Sequence, residues 1–175
     1  MAISLYELSV PAFERALTAF LAILDKAETH AAARKFDPAN YLALRLAPDQ
    51  FGFLRQVQSF CDHAKNASCR LAGAEPPFME DKETTFAELR ARITATLDIL
   101  KAVGSASIEA VSDRDITFPV GANRKVSMRA DLYLAHFVLP NFYFHLTTAY
   151  DILRAAGVEI GKRDFIGAMP GATPA

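Results

Sequence analysis

Apolar side chains that recur every three or four residues are the feature that most restricts how this chain folds. The first such stripe contains five large residues: Val10, Phe13, Leu17, Phe20 and Leu24. Three more stripes of this kind follow, and glycine or proline punctuates the chain between them. This period places the apolar residues on one face of an α-helix, which must be buried against other helices. The pattern therefore predicts an all-α fold built from four long amphipathic helices.

Helix-start and helix-stop residues set the expected limits of the first two long helices. Pro11 suits a first helical turn because its missing N–H has no partner there, so Leu5 to Val10 is expected to form a separate lead-in turn. The second helix is expected to begin near Pro48, where Asp49 adds a favourable first-turn charge, and to stop at Gly73.

The third and fourth helices carry clearer signals. Thr85 and Glu88 have the spacing of a capping box, which predicts the start of a third helix that ends at Gly104. The fourth helix is expected to run from about Arg129 to Ala156, with Gly157 as its stop. Four long helices joined by connectors predict an up-down four-helix bundle.

The apolar period changes from three or four to two between Ser112 and Met128. Ile116 and Phe118 alternate with polar residues, a turn is expected at 121–123, and Val126 starts the return. Proline cannot donate to a strand ladder, so Pro119 at this position favours a short, edge-type pair. A small β-hairpin between helices three and four is therefore expected.

Size and charge exclude several classes of protein. With 175 residues, a single domain over 1–167 is expected, followed by a loose C-terminal tail at 168–175. A net charge of −1 without a basic stripe argues against nucleic-acid binding, and no apolar run is long enough to cross a bilayer. The start of the chain lacks a positive leader with a cleavage site, which argues against a signal peptide.

The two cysteines indicate a reducing compartment. Cys61 and Cys69 lie eight residues apart in one expected helix, which is about 12 Å of axial rise and too far for a disulfide. Their spacing also matches no metal or redox motif. They are expected to be buried small hydrophobes of a cytoplasmic protein.

Histidine is the residue type left to carry chemistry, because the sequence contains no GxSxG, no glycine-rich phosphate loop and no HExxH. His30 lies in a polar stretch and is expected to be solvated. His63 lies at the margin of the apolar face of the second helix, and His145 points from the fourth helix towards the core. Either histidine can be a hydrogen-bonded packing residue or a ligand-binding residue.

Four segments together resemble the DUF1993 family, which is similar to the DinB/YfiT-like metalloenzymes. They are DHAK at 62–65, ETTFAEL at 83–89, LPNFYFH at 139–145 and GVEIGKRDF at 157–165. The resemblance extends from about Leu5 to Gly167. It implies a four-helix bundle with a cleft at one end, and often a homodimer, but no known reaction.

The DinB-like group typically binds a divalent metal through three histidines, and the resemblance transfers only two of them. His63 matches the ligand on the second helix, and His145 matches the second histidine of an HxxxH pair on the fourth. The first position of that pair is Asn141, whose amide oxygen is a weak ligand for zinc or nickel.

His136 is a candidate replacement for the missing ligand. Nine residues separate it from His145, so in a straight helix the two rings point to opposite sides. Pro140 lies between them, and an internal proline that kinks or bulges the helix would bring His136 nearer. The same kink either packs the neighbouring aromatic residues or opens a pocket beside His145.

Two functions from different classes remain open. In the first, His63 and His145, helped by Asn141 or His136, bind a divalent metal, zinc or nickel, for hydrolysis or thiol transfer. In the second, which we favour, the metal site has decayed in a non-enzymatic homodimer or small-molecule binder. The histidines would then form hydrogen bonds to neighbours such as Asn141 or to Tyr143 in the pocket.

The charge clusters at 113–115 and 162–164 are expected to be solvated or, as the resemblance suggests, to fasten the hairpin and the C-terminal segment to the bundle rim.

Overall fold

The computed structural model of the chain describes residues 4–110, 113–121 and 123–173. The described chain is mostly helical, with one two-stranded antiparallel sheet. The helices and strands are α1 Leu5–Leu8, α2 Val10–Ala33, a 3-10 turn Pro38–Tyr41, α3 Phe53–Leu71, α4 Phe86–Lys101, α5 Ser105–Glu109, β1 Asp115–Pro119, β2 Lys125–Arg129, α6 Ala130–Leu132, a π-helical turn Tyr133–Val138, α7 Leu139–Ala155 and α8 Lys162–Ile166.

The core lies between the long helices, with α3 at the centre against α7 and α4. The first predicted stripe is confirmed, because all five of its residues on α2 are buried. Aromatic rings join the helices: Phe13 lies 4.6 Å from Phe142 of α7, and Phe20 lies 4.9 Å from Phe60 of α3, centroid to centroid. Such tilted and edge-on ring pairs add to the stabilisation from apolar burial.

Most of the predicted helix ends are confirmed. The Thr85 side chain accepts from the Glu88 amide while the Glu88 carboxylate accepts from the Thr85 amide, which completes the capping box of α4. Gly73 and Gly157 follow α3 and α7 with φ of +83° and +93°, a conformation that favours glycine. The lead-in turn is present as the short helix α1.

The predicted start of the second helix was wrong. Helix α3 begins at Phe53, and both Pro48 and Asp49 lie in the turn before it. The amide of Phe53 donates to the carbonyl of Leu44 at 2.8 Å, and the next amide donates to the carbonyl of Leu42 at 3.0 Å. The preceding loop therefore satisfies the first helix amides and sets the boundary five residues later than Pro48.

The predicted hairpin is confirmed, and it leads directly into the last long helix. Ile116 pairs with Met128 and Phe118 pairs with Val126, and the two β1 side chains are buried. Ser112 and Ala122, at the expected start and turn of the hairpin, lie outside the described residues. Pro119 ends β1 opposite Lys125.

The last long helix contains the distortion that Pro140 predicts. The π-helical turn immediately precedes α7, whose second residue is Pro140. Proline has no amide N–H to donate, so a regular helical hydrogen bond is missing at this point, and the wider turn accommodates that gap. No helix within the described ranges is long and apolar enough to span a membrane.

Candidate functional site

His63 of α3 and His145 of α7 face each other where the two helices pack. The centroids of their rings are 5.5 Å apart, and the ring planes differ by 15°. Both side chains are half-buried. The structure thus brings together His63, expected at the margin of the apolar face of one helix, and His145, expected to point towards the core from another.

Gln56 holds His145 in one orientation. Its side-chain oxygen lies 2.7 Å from Nδ1 of His145, while its side-chain nitrogen donates to the carbonyl oxygen of Phe51 at 3.1 Å. An amide oxygen only accepts, so Nδ1 of His145 carries the proton and Nε2 keeps its lone pair. The expected partners Tyr143 and Asn141 are therefore replaced by a residue that the sequence interpretation missed.

A positional signal for Gln56 was present in the sequence. It precedes His63 by seven residues, which is two helical turns and places both on neighbouring parts of one helix face. The Gln56 side chain is buried, with 1% exposed. A polar residue on the apolar side of a helix needs a hydrogen-bond partner, and His145 is that partner.

Both imidazoles are held in the neutral form. Burial lowers the pKa of His63 to about 4, with additional lowering by the nearby His145 and Arg70. Burial, followed by the charge of Arg55, also lowers the pKa of His145. A neutral imidazole has a lone pair that accepts a hydrogen bond or binds a metal ion, so the pair is ready for either ligand at neutral pH.

Aromatic rings from the π-helical turn and α7 flank the two histidines. Phe137 meets His63 edge-on with centroids 5.8 Å apart, and Phe144 meets His145 edge-on at 5.2 Å. Phe144 is 55% exposed, so this side of the pair borders the protein surface. The ring nitrogens of the pair therefore lie beside apolar rings at the edge of the protein surface.

The other sequence-predicted site residues are Asn141, His136 and Tyr143. Asn141 lies one turn before His145, and its side-chain nitrogen donates to the carbonyl oxygen of Phe137 at 2.7 Å, which braces the π-helical turn. His136 is exposed and lies outside the ring contacts of the pair. Tyr143 is half-buried, with its ring 5.1 Å from that of Phe142.

The pair has no third ligand among the histidine, cysteine, aspartate and glutamate side chains that the structure describes. Within the described residues, no group of three histidine, cysteine, aspartate or glutamate side chains is arranged to hold an ion. Asp62, next to His63 in the sequence, is already paired with Arg92 at 2.9 Å and Lys65 at 3.2 Å. The pair thus offers two nitrogen ligands to a metal ion, and any further ligand must be something other than these acidic, histidine and cysteine side chains.

A buried arginine organises the chain beside the site. Arg92 of α4 has 1% of its side chain exposed and contacts three carboxylates, those of Asp62, Asp81 and Glu83, at 2.8 to 2.9 Å. Two of these carboxylates belong to the extended segment before α4, so the network fastens that segment to the helices. The sequence interpretation missed this network, which also fixes the residue adjacent to His63.

The two charge clusters each fasten a segment to a helix. Arg114 donates to the carbonyl oxygen of Arg70 at 2.6 Å, near the C-terminus of α3, where unpaired carbonyls need donors. Asp164 of α8 pairs with Lys26 of α2 at 2.7 Å. These contacts agree with the fastening role that the family resemblance suggested.

Cys61 and Cys69 are buried and free, as expected.

Comparisons with known proteins agree on the family. A crystal structure of a DinB family member from Shewanella denitrificans is similar to this chain, with a TM-score of 0.89 and 42% sequence identity, and the match covers 97% of this chain and 96% of that one. A comparison with curated proteins gave no match. Residues 5–166 match the family described as a domain of unknown function, DUF1993. The chain belongs to the DUF1993 family and has the fold of a DinB family member.

Proposed function

We propose that this protein is a non-enzymatic binder of a small molecule, built as an up-down four-helix bundle, in which the His63–His145 pair recognises the ligand. The observation that carries the proposal is the tautomer of His145. Its Nδ1–H donates to Gln56, which leaves the lone pair of Nε2 for a ligand. A ligand with an N–H or O–H donor satisfies that lone pair, and the flanking aromatic rings take up its apolar part.

The engagement of the neighbouring groups supports binding rather than catalysis. Asn141 braces the backbone of the π-helical turn, and Asp62 is held by Arg92 and Lys65. Both groups would have to leave these partners to act on a ligand, and each lost bond costs free energy. The pair therefore serves best as a fixed recognition element, the vestige of a site that once had more ligands.

We also propose that the protein works as a cytoplasmic homodimer. Two free, buried cysteines suit a reducing compartment. Large apolar side chains remain exposed in the single chain, including Phe51, Phe144 and Phe78. Contact between two copies would remove such surface from water, which favours association.

A divalent metal is the second candidate ligand, and the Gln56–His145 bond is the observation that favours it. Metal-binding histidines usually donate their other ring N–H to an oxygen, which fixes the tautomer and raises ligand basicity. His63 and His145 would hold zinc or nickel, with water or substrate in the remaining positions. An ion held in this way lowers the pKa of a bound water or thiol, which suits hydrolysis or thiol transfer.

Metal content and thermal stability separate the two candidates. We would purify the protein without a histidine tag and compare wild type, His145→Ala and the matched control His136→Ala, which removes an exposed histidine from the neighbouring turn. Stoichiometric metal that is lost only in His145→Ala would establish the metal site. Metal-free protein whose melting temperature does not respond to zinc or nickel would exclude it.

The binder proposal is tested by a thermal-shift screen of small molecules on the same three proteins. A compound that raises the melting temperature of wild type and His136→Ala, but not of His145→Ala, supports the proposed site. Hits that act equally on all three proteins bind elsewhere and contradict the role of the pair.

A further inference from the structure

A cleft lies at the C-terminal end of α2, away from the histidine pair. It has a volume of about 420 Å³ and is lined by Lys26, Thr29, His30, Ala33 and Glu159. Four of these residues share one face of α2, and Glu159 comes from the segment after α7. Ten residues separate His145 from the end of α7, an axial rise of about 15 Å. The cleft is therefore a separate place on the molecule.

His30 is not the solvated surface residue that the sequence suggested. It is half-buried, and its Nδ1 lies 2.5 Å from the hydroxyl oxygen of Tyr41, a side chain with 2% exposed. Burial raises the pKa of Tyr41, so its hydroxyl stays protonated at neutral pH, although the charge of Arg34 opposes this effect. A Tyr41 hydroxyl that donates to Nδ1 leaves the ring proton of His30 on Nε2.

The Nε2 edge of His30 faces the chain reversal at Gly157. A Cβ atom added to Gly157 would lie 3.8 Å from both Nε2 and Cε1 of His30, so a longer side chain there would cover this edge of the ring. The glycine itself is required by its φ of +93°. The glycine therefore leaves this edge of the ring without a covering side chain from residue 157.

Glu159 is presented on the opposite wall by a firmly held turn. Its neighbours Val158 and Ile160 are buried, and the amide of Ile160 donates to the carbonyl oxygen of Val158 at 2.8 Å. Arg154 donates to the carbonyl oxygen of Ile160 at 2.5 Å. Glu159 is exposed and takes part in no ion pair within the described ranges, so its carboxylate remains a free acceptor.

The lining of the cleft offers hydrogen-bond donors from α2 and a carboxylate acceptor from the segment after α7. Glu159 supplies a negative charge, whereas His30 supplies a hydrogen-bond donor and Lys26 an ammonium on the α2 side. Asp164 pairs with Lys26 and holds it at the rim. A ligand that matches this pattern carries a cation at one end and an anion or other acceptor at the other.

We propose that the cleft binds a small zwitterion of the free α-amino acid class. The ammonium group of the ligand binds Glu159, and its carboxylate accepts from Nε2–H of His30 beside Lys26. The cleft volume falls in the range of small-molecule sites, about 300–1,000 Å³. The site is distinct from the His63–His145 pair and does not depend on the function proposed for it.

NMR titration of the full chain with individual standard α-amino acids tests this proposal. At millimolar concentrations, at least one of them should shift the ring signals of His30 and the amide signals of 157–160. Loss of the ion pair in Glu159→Gln should weaken its binding about tenfold. Glu75→Gln removes a carboxylate from a different exposed segment, and His145→Ala alters the other site, so both variants should bind as wild type does.

Derivatives of the same amino acid assign the two ends of the ligand. The N-acetyl form lacks the ammonium and should bind wild type no better than the parent amino acid binds Glu159→Gln. The ethyl ester lacks the carboxylate and should no longer shift the His30 ring signals. The proposal is overturned if no standard amino acid perturbs these signals, or if Glu159→Gln binds with unchanged affinity.

Discussion

The side-chain oxygen of Gln56 accepts a hydrogen bond from Nδ1 of His145 at 2.7 Å, and this single contact determines which ring nitrogen faces the site. Gln56 is fully enclosed by protein and has its own nitrogen bound to a backbone carbonyl, so the amide cannot rotate without losing two hydrogen bonds. The tautomer of His145 is thus set by the core of α3 rather than by solvent.

Replacing this amide by a carboxylate should change the acidity of the ring. In Gln56→Glu, a negative charge beside Nδ1 stabilises the imidazolium form, so we expect the pKa of His145 to rise above its wild-type value. NMR titration of the His145 ring signals measures this change. Gln56→Leu removes the bond without adding charge and should not raise the pKa. An unchanged pKa in Gln56→Glu would show that the contact is absent in solution.

Stability should fall as the pH drops through the range in which histidine becomes protonated. The pKa of His63 is about 4 in the folded protein, against 6.5 as its ordinary value. Between these values the unfolded chain binds a proton that the folded chain excludes, so the free energy of unfolding rises with pH across this window. Below pH 4 the effect is complete, and the protonation of His63 has then lowered the free energy of unfolding by roughly 3 kcal/mol relative to neutral pH.

Urea unfolding at several pH values separates this effect from the titration of carboxylates. His63→Gln lacks the group, so its free energy of unfolding should change less between pH 7 and pH 4 than that of wild type. Replacing the exposed residue in His136→Gln should leave the wild-type slope intact. Equal slopes in wild type and His63→Gln would show that His63 titrates normally in the folded protein.

The fold was predictable where the deciding interactions lie close together in the sequence. The capping box of Thr85 and Glu88 and the glycine stops at Gly73 and Gly157 involve neighbours within one turn, and all were predicted correctly. The start of α3 was not, because hydrogen bonds to the carbonyls of the preceding loop delay it until Phe53. Such bonds depend on the path of the loop, which local propensity does not specify.

The same distinction holds for the site. Spacing alone placed His145 on the inward face of its helix, the family resemblance paired it with His63, and Pro140 correctly indicated a distorted turn. The role of Gln56 depends on the distance between α3 and α7, since its partner lies 89 residues away. The partners of Arg92 come from two other segments of the chain, so no spacing in the sequence reveals them.

Removing the buried charge of Arg92 should be among the more damaging single changes in this protein. In Arg92→Met, the carboxylates of Asp62, Asp81 and Glu83 lose their common partner, and a broken buried pair typically costs about 3–5 kcal/mol. Urea denaturation measures the loss. Arg129→Met, which removes an exposed arginine paired with Asp131, is the matched control and should change stability little. Comparable effects of the two substitutions would contradict a structural role for the network.

Restoring a third imidazole should convert the pair into a metal site. Asn141 lies four residues before His145, so a side chain at this position shares a face of α7 with it, and the ring of His63 on α3 lies against that of His145. In Asn141→His, three neutral nitrogen donors would satisfy the usual requirement of a zinc site with one open position. We expect zinc to raise the melting temperature of this variant and to leave that of wild type unchanged.

Two comparisons make the metal experiment decisive. The double variant Asn141→His with His145→Ala again has two imidazoles, so zinc should not stabilise it. Zinc at a hundredfold excess over its Kd stabilises a folded protein by about 2.7 kcal/mol, which thermal melting detects readily. A zinc-induced rise in melting temperature that is equally large in wild type and Asn141→His, and absent in the double variant, would mean that wild type already binds the ion through His63 and His145. The metal candidate would then replace the decayed-site interpretation, because two imidazoles would have proved sufficient.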